Sequence, residues 1–185
     1  MPHYKKLVGQ KCYLSPCAPE DAEKWAAWEN DLEVTLPLGD EAYTPSSPER
    51  ARDIIADALK RGEHVFSIID LGTEEAIGRG MLFNVDLVNR AAMLGIVIGE
   101  KGCWGQGYGA DATRLLLEYA FNLLNLNSVM LGVFAFNERA IALYRGAGFR
   151  EIGRRRQARI IGGRKHDVIL MDILAEEFES RRIIP

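Results

Sequence analysis

Cysteine and histidine are both scarce in this sequence, three of each among 185 residues. Cys12, Cys17 and Cys103 are odd in number, scattered, and without a CxxC or His-rich partner, so neither a disulfide framework nor a zinc site is expected. The expected metal content is none, and a reducing cytoplasm is the expected compartment. Long apolar runs are missing too. No window approaches the roughly 18 apolar residues of a membrane span, and the start, Met1-Pro2-His3-Tyr4-Lys5-Lys6, leads into polar residues rather than the apolar core of a secretion signal. Membrane association is therefore not expected. Excess positive charge is also absent: the net charge is -3 with 26% charged residues, which argues against a nucleic-acid partner. Proline and serine concentrate only from Thr44 to Pro48, and no repeat or low-complexity tract occurs.

What is present is enough apolar material, 48% of the residues, for one well-filled core in a chain short for two domains. A short strand is expected near Cys12 to Leu14, then a helix from about Pro19 to Asn30 with Glu20 and Asp21 at its positive end. Ser46 and Glu49 read as a capping box for a second helix, with Pro48 in its first turn, an apolar stripe of Ala51, Ile54, Ile55, Ala58 and Leu59, and a stop at Gly62. Val65 to Ile69, Ala76 to Val85 and Ala91 to Ile98 read as an antiparallel meander, with a turn at Leu71-Gly72-Thr73-Glu74. A buried helix from Ala110 to about Leu124, a strand from Ser128 to Phe134, a short helix from Asn137 to Arg145, and strands from Phe149 to Ile161 and His166 to Ile173 complete the pattern. Gly162-Gly163 reads as the turn of the last hairpin. The layout predicts an α+β or α/β fold around one sheet.

Chemistry concentrates in Gly99-Glu100-Lys101-Gly102-Cys103-Trp104-Gly105-Gln106-Gly107-Tyr108-Gly109, between a predicted strand and the apolar helix. Glycines let several amides converge on one point, and a helix N-terminus adds positive potential, which together suit a phosphate or pyrophosphate. A P-loop would end in Gly-Lys-Ser/Thr, which is missing here. A dinucleotide fold would carry GxGxxG and a later acidic residue, and the loop reads GxGxG with no acid at the end of the next strand.

The run Trp104-Gly105-Gln106-Gly107-Tyr108-Gly109-Ala110 resembles the pyrophosphate loop of the GNAT acetyltransferases. Asn137-Glu138-Arg139-Ala140-Ile141-Ala142-Leu143-Tyr144-Arg145-Gly146-Ala147-Gly148-Phe149 resembles their second signature. Trp104 stands where many members have Gln or Arg, a departure known in the branch that acetylates ribosomal-protein N-termini, spermidine and some antibiotics. The resemblance covers about residues 8 to 174 and is sharpest between 95 and 149. It implies a single N-acetyltransferase domain over residues 1–185, with a mixed, mostly antiparallel sheet splayed at its centre and flanked by helices. It further implies acetyl-CoA as donor, its pantetheine along the backbone of Ile96, Val97 and Ile98 and its pyrophosphate on the amides from Trp104 to Gly109, with Asn137 also against the cofactor.

Such a reaction needs a neutral amine, a polarised thioester carbonyl and a proton for the departing thiolate. A free N–H near Ile98 suits the carbonyl, and Tyr144 suits the proton, since a phenol with a pKa near 10 stays protonated at neutral pH. Tyr144 has a structural alternative as a core aromatic, and Asn137 as a helix cap. His64, His166 and Glu100 read as surface or satisfied groups, so no base is assigned, and Cys103 lacks a partner for a covalent route. Trp28, Glu33 and Glu41 are candidate acceptor contacts, being aromatic and acidic, against the alternative of core and solvated positions. Arg154, Arg155, Arg156 and Arg159 read first as solvated strand charge. The leading acceptor is a protein N-terminus. The alternatives are a polyamine or antibiotic amine and, from another class, a non-catalytic CoA-binding module. The edge strand of the last hairpin offers a route to a homodimer.

Overall fold

A computed structural model describes residues 3–180; Met1, Pro2 and residues 181–185, which the expected domain includes, lie outside the described residues. The strands are β1 (Leu7–Val8), β2 (Cys12–Pro16), β3 (His64–Asp70), β4 (Ala76–Asp86), β5 (Ala91–Ile98), β6 (Ser128–Phe134), β7 (Arg150–Ile161) and β8 (Arg164–Leu174). They form one sheet in the order β1-β2-β3-β4-β5-β6-β8-β7. Among the described residues only β5 and β6 pair in parallel. The helices are α1 (Ala22–Asn30), α2 (Leu32–Thr35), α3 (Pro48–Arg61), α4 (Tyr108–Glu118) and α5 (Glu138–Gly146). The expected meander and final hairpin are both present. Gly162 and Gly163 turn that hairpin at φ 56° and 76°, the mirror-image geometry that follows strand twist.

Several boundaries differ from expectation for local reasons. The cap of α3 is Ser47, whose side chain accepts from the Arg50 N–H at 3.2 Å, and not Ser46. Pro48 occupies the first helical position and holds the residue before it extended, so the cap moves one residue on. The Ser46 carbonyl instead accepts from Asn30 Nδ2 at 2.8 Å. Pro19–Asp21 forms a separate 3-10 turn before α1. Helix α4 begins at Tyr108 rather than Ala110 because Gly107, at φ 89°, already serves as its N-cap. Its end passes into a π-helical turn, Tyr119–Leu123. Strand β1 and helix α2 are too short to leave a periodic signal and were not expected.

The sheet has a core on each face. On one side α4 sets Ala112, Leu115 and Leu116 against Leu14, Ile68, Leu94 and Val129, and α5 adds Ile141 and Tyr144. On the other side α1 and α3 set Trp25, Trp28, Ala51 and Ile55 against Tyr13, Ile69 and Ala76. The β1–β2 turn is tied to α4 by one carboxylate. Asp111 Oδ2 accepts from the backbone N–H of Gln10, Lys11 and Cys12 at 2.9, 2.8 and 3.1 Å. Three such bonds fix the turn directly beside the start of α4.

The parallel ladder between β5 and β6 lasts three residues, from Ala91 opposite Ser128 to Met93 opposite Met130. Beyond it β5 continues against β4 as far as Ile98 opposite Gly78, and β6 continues against β8 as far as Phe134 opposite Val168. The two strands diverge, and the expected central splay is real. Gly78 is needed beside it, because a Cβ there would overlap the Val97 carbonyl oxygen. Gly78→Ala is expected to lower unfolding stability by about 1–3 kcal/mol, read by chemical denaturation.

Candidate active site

The splay opens a cleft of about 310 Å³ that passes from one face of the sheet to the other. Val34 and Leu38 line it on the α1 side, and Leu143 and Tyr144 on the α5 side. Ile96, Val97 and Ile98 form its β5 wall, but their backbones face differently. The Gly99 N–H bonds to the Ile77 carbonyl of β4 at 2.9 Å, so alternation along the strand turns Val97 to β4 and Ile96 and Ile98 into the splay. The Ile98 carbonyl confirms the direction, since it accepts from Trp104 Nε1 at 2.7 Å. Of the three residues expected to offer backbone groups, Val97 therefore contributes its side chain.

The loop after β5 has the geometry of an anion cradle. Gly105 and Gly107 lie at φ 73° and 89°, a region that a side chain would strain. Space beside Gly102 and Gly105 is open. The Gly107 N-cap provides no side-chain oxygen to the first turn of α4, which leaves amide donors for an anion at a positive helix end. Gly109 permits close packing, since a Cβ there would sit 2.7 Å from Leu143 Cδ1. Gln106 turns back to the Gly102 carbonyl and is not part of the cleft lining. Tyr108 lines the cleft with its ring while its hydroxyl donates to Asp70 Oδ2 at 2.7 Å. That bond, with burial, pushes the Tyr108 phenol up to about 12.

Trp104 spans the mouth of the splay, its ring 4.0 Å from the Arg139 guanidinium of α5. Asn137 caps α5, its Oδ1 accepting from the Ala140 N–H at 3.1 Å, and its Nδ2 reaches the Pro37 carbonyl at 3.5 Å. Tyr144, 8% exposed, packs edge-on against Phe149 at 5.7 Å. Among the described residues no group hydrogen-bonds its hydroxyl. Burial pushes this phenol up to about 12, so it holds its proton throughout the neutral and mildly alkaline range.

The candidate acceptor residues lie outside this lining. Trp28 is buried beneath Gly99 and donates through Nε1 to Glu100 at 3.1 Å. Glu33 and Asp31 are both held by Lys101, at 3.0 and 2.7 Å, and the Lys101 ammonium keeps the Asp31 carboxyl below its usual range. Arg79, nearly buried and stacked 4.7 Å from Trp25, holds Glu29 at 2.7 Å and Glu41 at 3.7 Å. Arg159 holds Asp40 at 2.6 Å. Arg79, Lys101 and the role of Asp111 were missed in the sequence, where nothing local marks such distant pairings.

The remaining candidates fall elsewhere. His64 bonds to the Tyr119 hydroxyl and His166 packs on Phe136, and neither lines the cleft. The Cys103 thiol is pushed up by burial and has no imidazole beside it among the described residues. Arg154, Arg155 and Arg156 lie on β7, separated from β5 by β6 and β8. The helices of the described residues include none long and apolar enough to cross a membrane.

Residues 11–150 match the family described as Acetyltransferase (GNAT) domain. The chain is 31% identical to the putative ribosomal N-acetyltransferase YdaF of Bacillus subtilis (strain 168), over 89% of this chain and 91% of that protein. It is 30% identical to the spermidine N(1)-acetyltransferase of Vibrio cholerae over 62% of this chain and 65% of that one. The Vibrio cholerae spermidine N-acetyltransferase crystallised with CoA and spermine shares the fold, with a TM-score of 0.81, 24% identity, and coverage of 90% and 97%. Gly107→Val is expected to abolish measurable acetyl-CoA binding in calorimetric titration while circular dichroism shows the fold retained, because a branched side chain at φ 89° distorts the loop and presses on the Lys11 side chain, whose Cε would lie 3.4 Å from the new Cβ.

Proposed function

This chain belongs to the GNAT acetyltransferases and is an acetyl-CoA-dependent N-acetyltransferase, and on that premise we propose that it acetylates the α-amine of a protein or peptide N-terminus. One observation carries this reading: the described lining of the cleft contains no carboxylate and no histidine. A polyamine brings several ammonium groups, each favouring a free carboxylate. The acids nearest the acceptor side, Glu29, Asp31, Glu33, Asp40 and Glu41, are already paired with Arg79, Lys101 or Arg159. A peptide N-terminus brings one amine beside an ordinary backbone, which the apolar wall of Val34 and Leu38 suits.

The same lack of a base points to an acceptor that is easily deprotonated. An α-amine has a pKa near 8, against about 10.4 for a lysine-like amine, so a larger share is neutral and nucleophilic at pH 7 to 8. It attacks the thioester carbonyl and releases its proton to water. The Ile98 N–H, turned into the splay, is the donor proposed for the carbonyl oxygen. Tyr144 then donates its phenolic proton to the departing sulfur. Trp104 to Gly109 hold the pyrophosphate, and Ile96 and Ile98 pair with the pantetheine. The likeness to a spermidine acetyltransferase supports a second reading, a polyamine acceptor, which would require Glu33 or Glu41 to leave its cation.

Thiol release from acetyl-CoA with Ala- or Ser-starting peptides and with spermidine tests the choice. Turnover on peptides with little on spermidine is expected; the reverse would replace the first reading by the second. Tyr144→Phe should lower kcat about 100-fold with little change in acetyl-CoA affinity, and wild-type turnover in this variant would remove Tyr144 as the acid. The pH profile has a definite sign. kcat/KM should rise as the acceptor amine loses its proton near pH 8, then stay level to pH 10, because Tyr144 remains protonated well below its value of about 12.

A further inference from the structure

Beside the glycine loop stands a cation that belongs to neither family signature. Lys11 lies in the β1–β2 turn, whose backbone Asp111 pins through three N–H bonds to the first turn of α4. Its side chain runs along the loop: a Cβ on Gly107 would lie 3.4 Å from Lys11 Cε, and Nζ stands 5.6 Å from the centre of the Tyr108 ring. Lys11 is exposed and, among the described residues, its ammonium comes within 4.0 Å of no carboxylate, though its charge adds to the hydrogen bonds that hold the Asp70 carboxyl below its usual range. The Asp70 carboxylate accepts its hydrogen bonds from the Tyr108 hydroxyl and the Gly72 N–H, at 2.7 and 2.6 Å. Lys101, in the turn before the loop, is held by Asp31 and Glu33 and is not free to turn toward it.

We propose that Lys11 is a binding residue for the donor, its ammonium pairing with the pyrophosphate of acetyl-CoA beside the amides of Gly107 and Tyr108. A pyrophosphate presents more negative charge than one helix end neutralises. The loop itself supplies neutral amides, and a P-loop lysine is missing from it. Arg139 stacks on Trp104 at the other end of the loop; Lys11 adds positive charge beside Gly107 from a distant part of the chain, and its backbone is immobilised before the ligand arrives, which lowers the entropy lost on binding. Asp111 is a positioning residue in this arrangement. Its own charge is met by the three amides of the turn, so an acid can stand close to an anion site.

The proposal rests on the phosphates lying at the start of α4, and the test separates that premise from the role of Lys11. Wild type, Lys11→Ala and Lys11→Arg would be titrated calorimetrically with acetyl-CoA, its 3′-dephospho form and S-acetyl-pantetheine, with thermal melting as the check of folding. Lys11→Ala is expected to weaken acetyl-CoA roughly three- to fivefold, with a difference that shrinks in high salt, while Lys11→Arg stays within about twofold. The loss should persist with the dephospho form and vanish with S-acetyl-pantetheine. Equal acetyl-CoA affinity in wild type and Lys11→Ala overturns the proposal. So does a loss that persists with S-acetyl-pantetheine, which would indicate a structural role, or one that vanishes with the dephospho form, which would move Lys11 to the 3′-phosphate. If Gly105→Val, which strains the loop at φ 73° but whose Cβ would meet nothing within 4 Å, leaves acetyl-CoA affinity intact, the premise fails independently of Lys11.

Discussion

The parting of β5 from β6 after Met93 and Met130 sets the conditions for everything else in this molecule. Backbone N–H and C=O groups in a protein interior must find partners, and two strands that diverge within a sheet leave a row of them exposed to each other. Here each strand completes its pairing on its outer side, β5 with β4 and β6 with β8, so the sheet holds together as two halves hinged at a three-residue ladder. The inner groups of Ile96 and Ile98 are left for something else. Trp104 meets one of them, the Ile98 carbonyl, and an extended ligand with amides of its own can meet the rest. The slot is thus a binding surface because it is a sheet with one strand's width removed.

Charge is distributed unevenly around that slot. The end proposed for the donor is made of glycine amides and a helix N-terminus, with Lys11 alongside. The end proposed for the acceptor is rich in acids, yet Glu29, Asp31, Glu33, Asp40 and Glu41 are each answered by Arg79, Lys101 or Arg159. These pairs fasten α1 and the segment around Glu41 to the sheet, and α2 to the turn after β5. Their use as fasteners leaves the cleft without an internal base, which shifts the burden of proton loss to the acceptor. The proposed acceptor of low basicity rests on that electrostatic arrangement rather than on the shape of the cavity alone.

Much of this was legible in the sequence where the rules are local. Strand alternation, the glycine stop at Gly62, the Gly162-Gly163 hairpin and the loop-helix junction after Ile98 depend on neighbours a few residues apart. The capping residue of α3 was misplaced by one because two adjacent serines both fit, and only the conformational demand of Pro48 chooses Ser47. What escaped was non-local. Nothing near Asp111 indicates that it receives three amides from about a hundred residues upstream. Nothing near Glu33 indicates that Lys101 will claim it. The orientation of Val97 was within reach, since strand parity follows once one bond to β4 is known.

The two ends of the site are also built from different materials, and that difference bears on how the fold serves different reactions. The donor end is mostly backbone: positive-φ glycines, free amides and a strand edge, whose geometry tolerates changes in the surrounding side chains. The acceptor end is side chains held by other side chains, Trp28 by Glu100, Glu29 by Arg79, Asp40 by Arg159. Replacing an exposed partner such as Asp40 or Lys101 frees a charge there, whereas Arg79 is buried on β4 and its loss would leave Glu29 unpaired in the interior. A relative named for ribosomal acetylation and another named for spermidine can therefore share one donor architecture. In this chain the acids of that end are paired, and the cleft lining that includes Tyr144 carries no carboxylate.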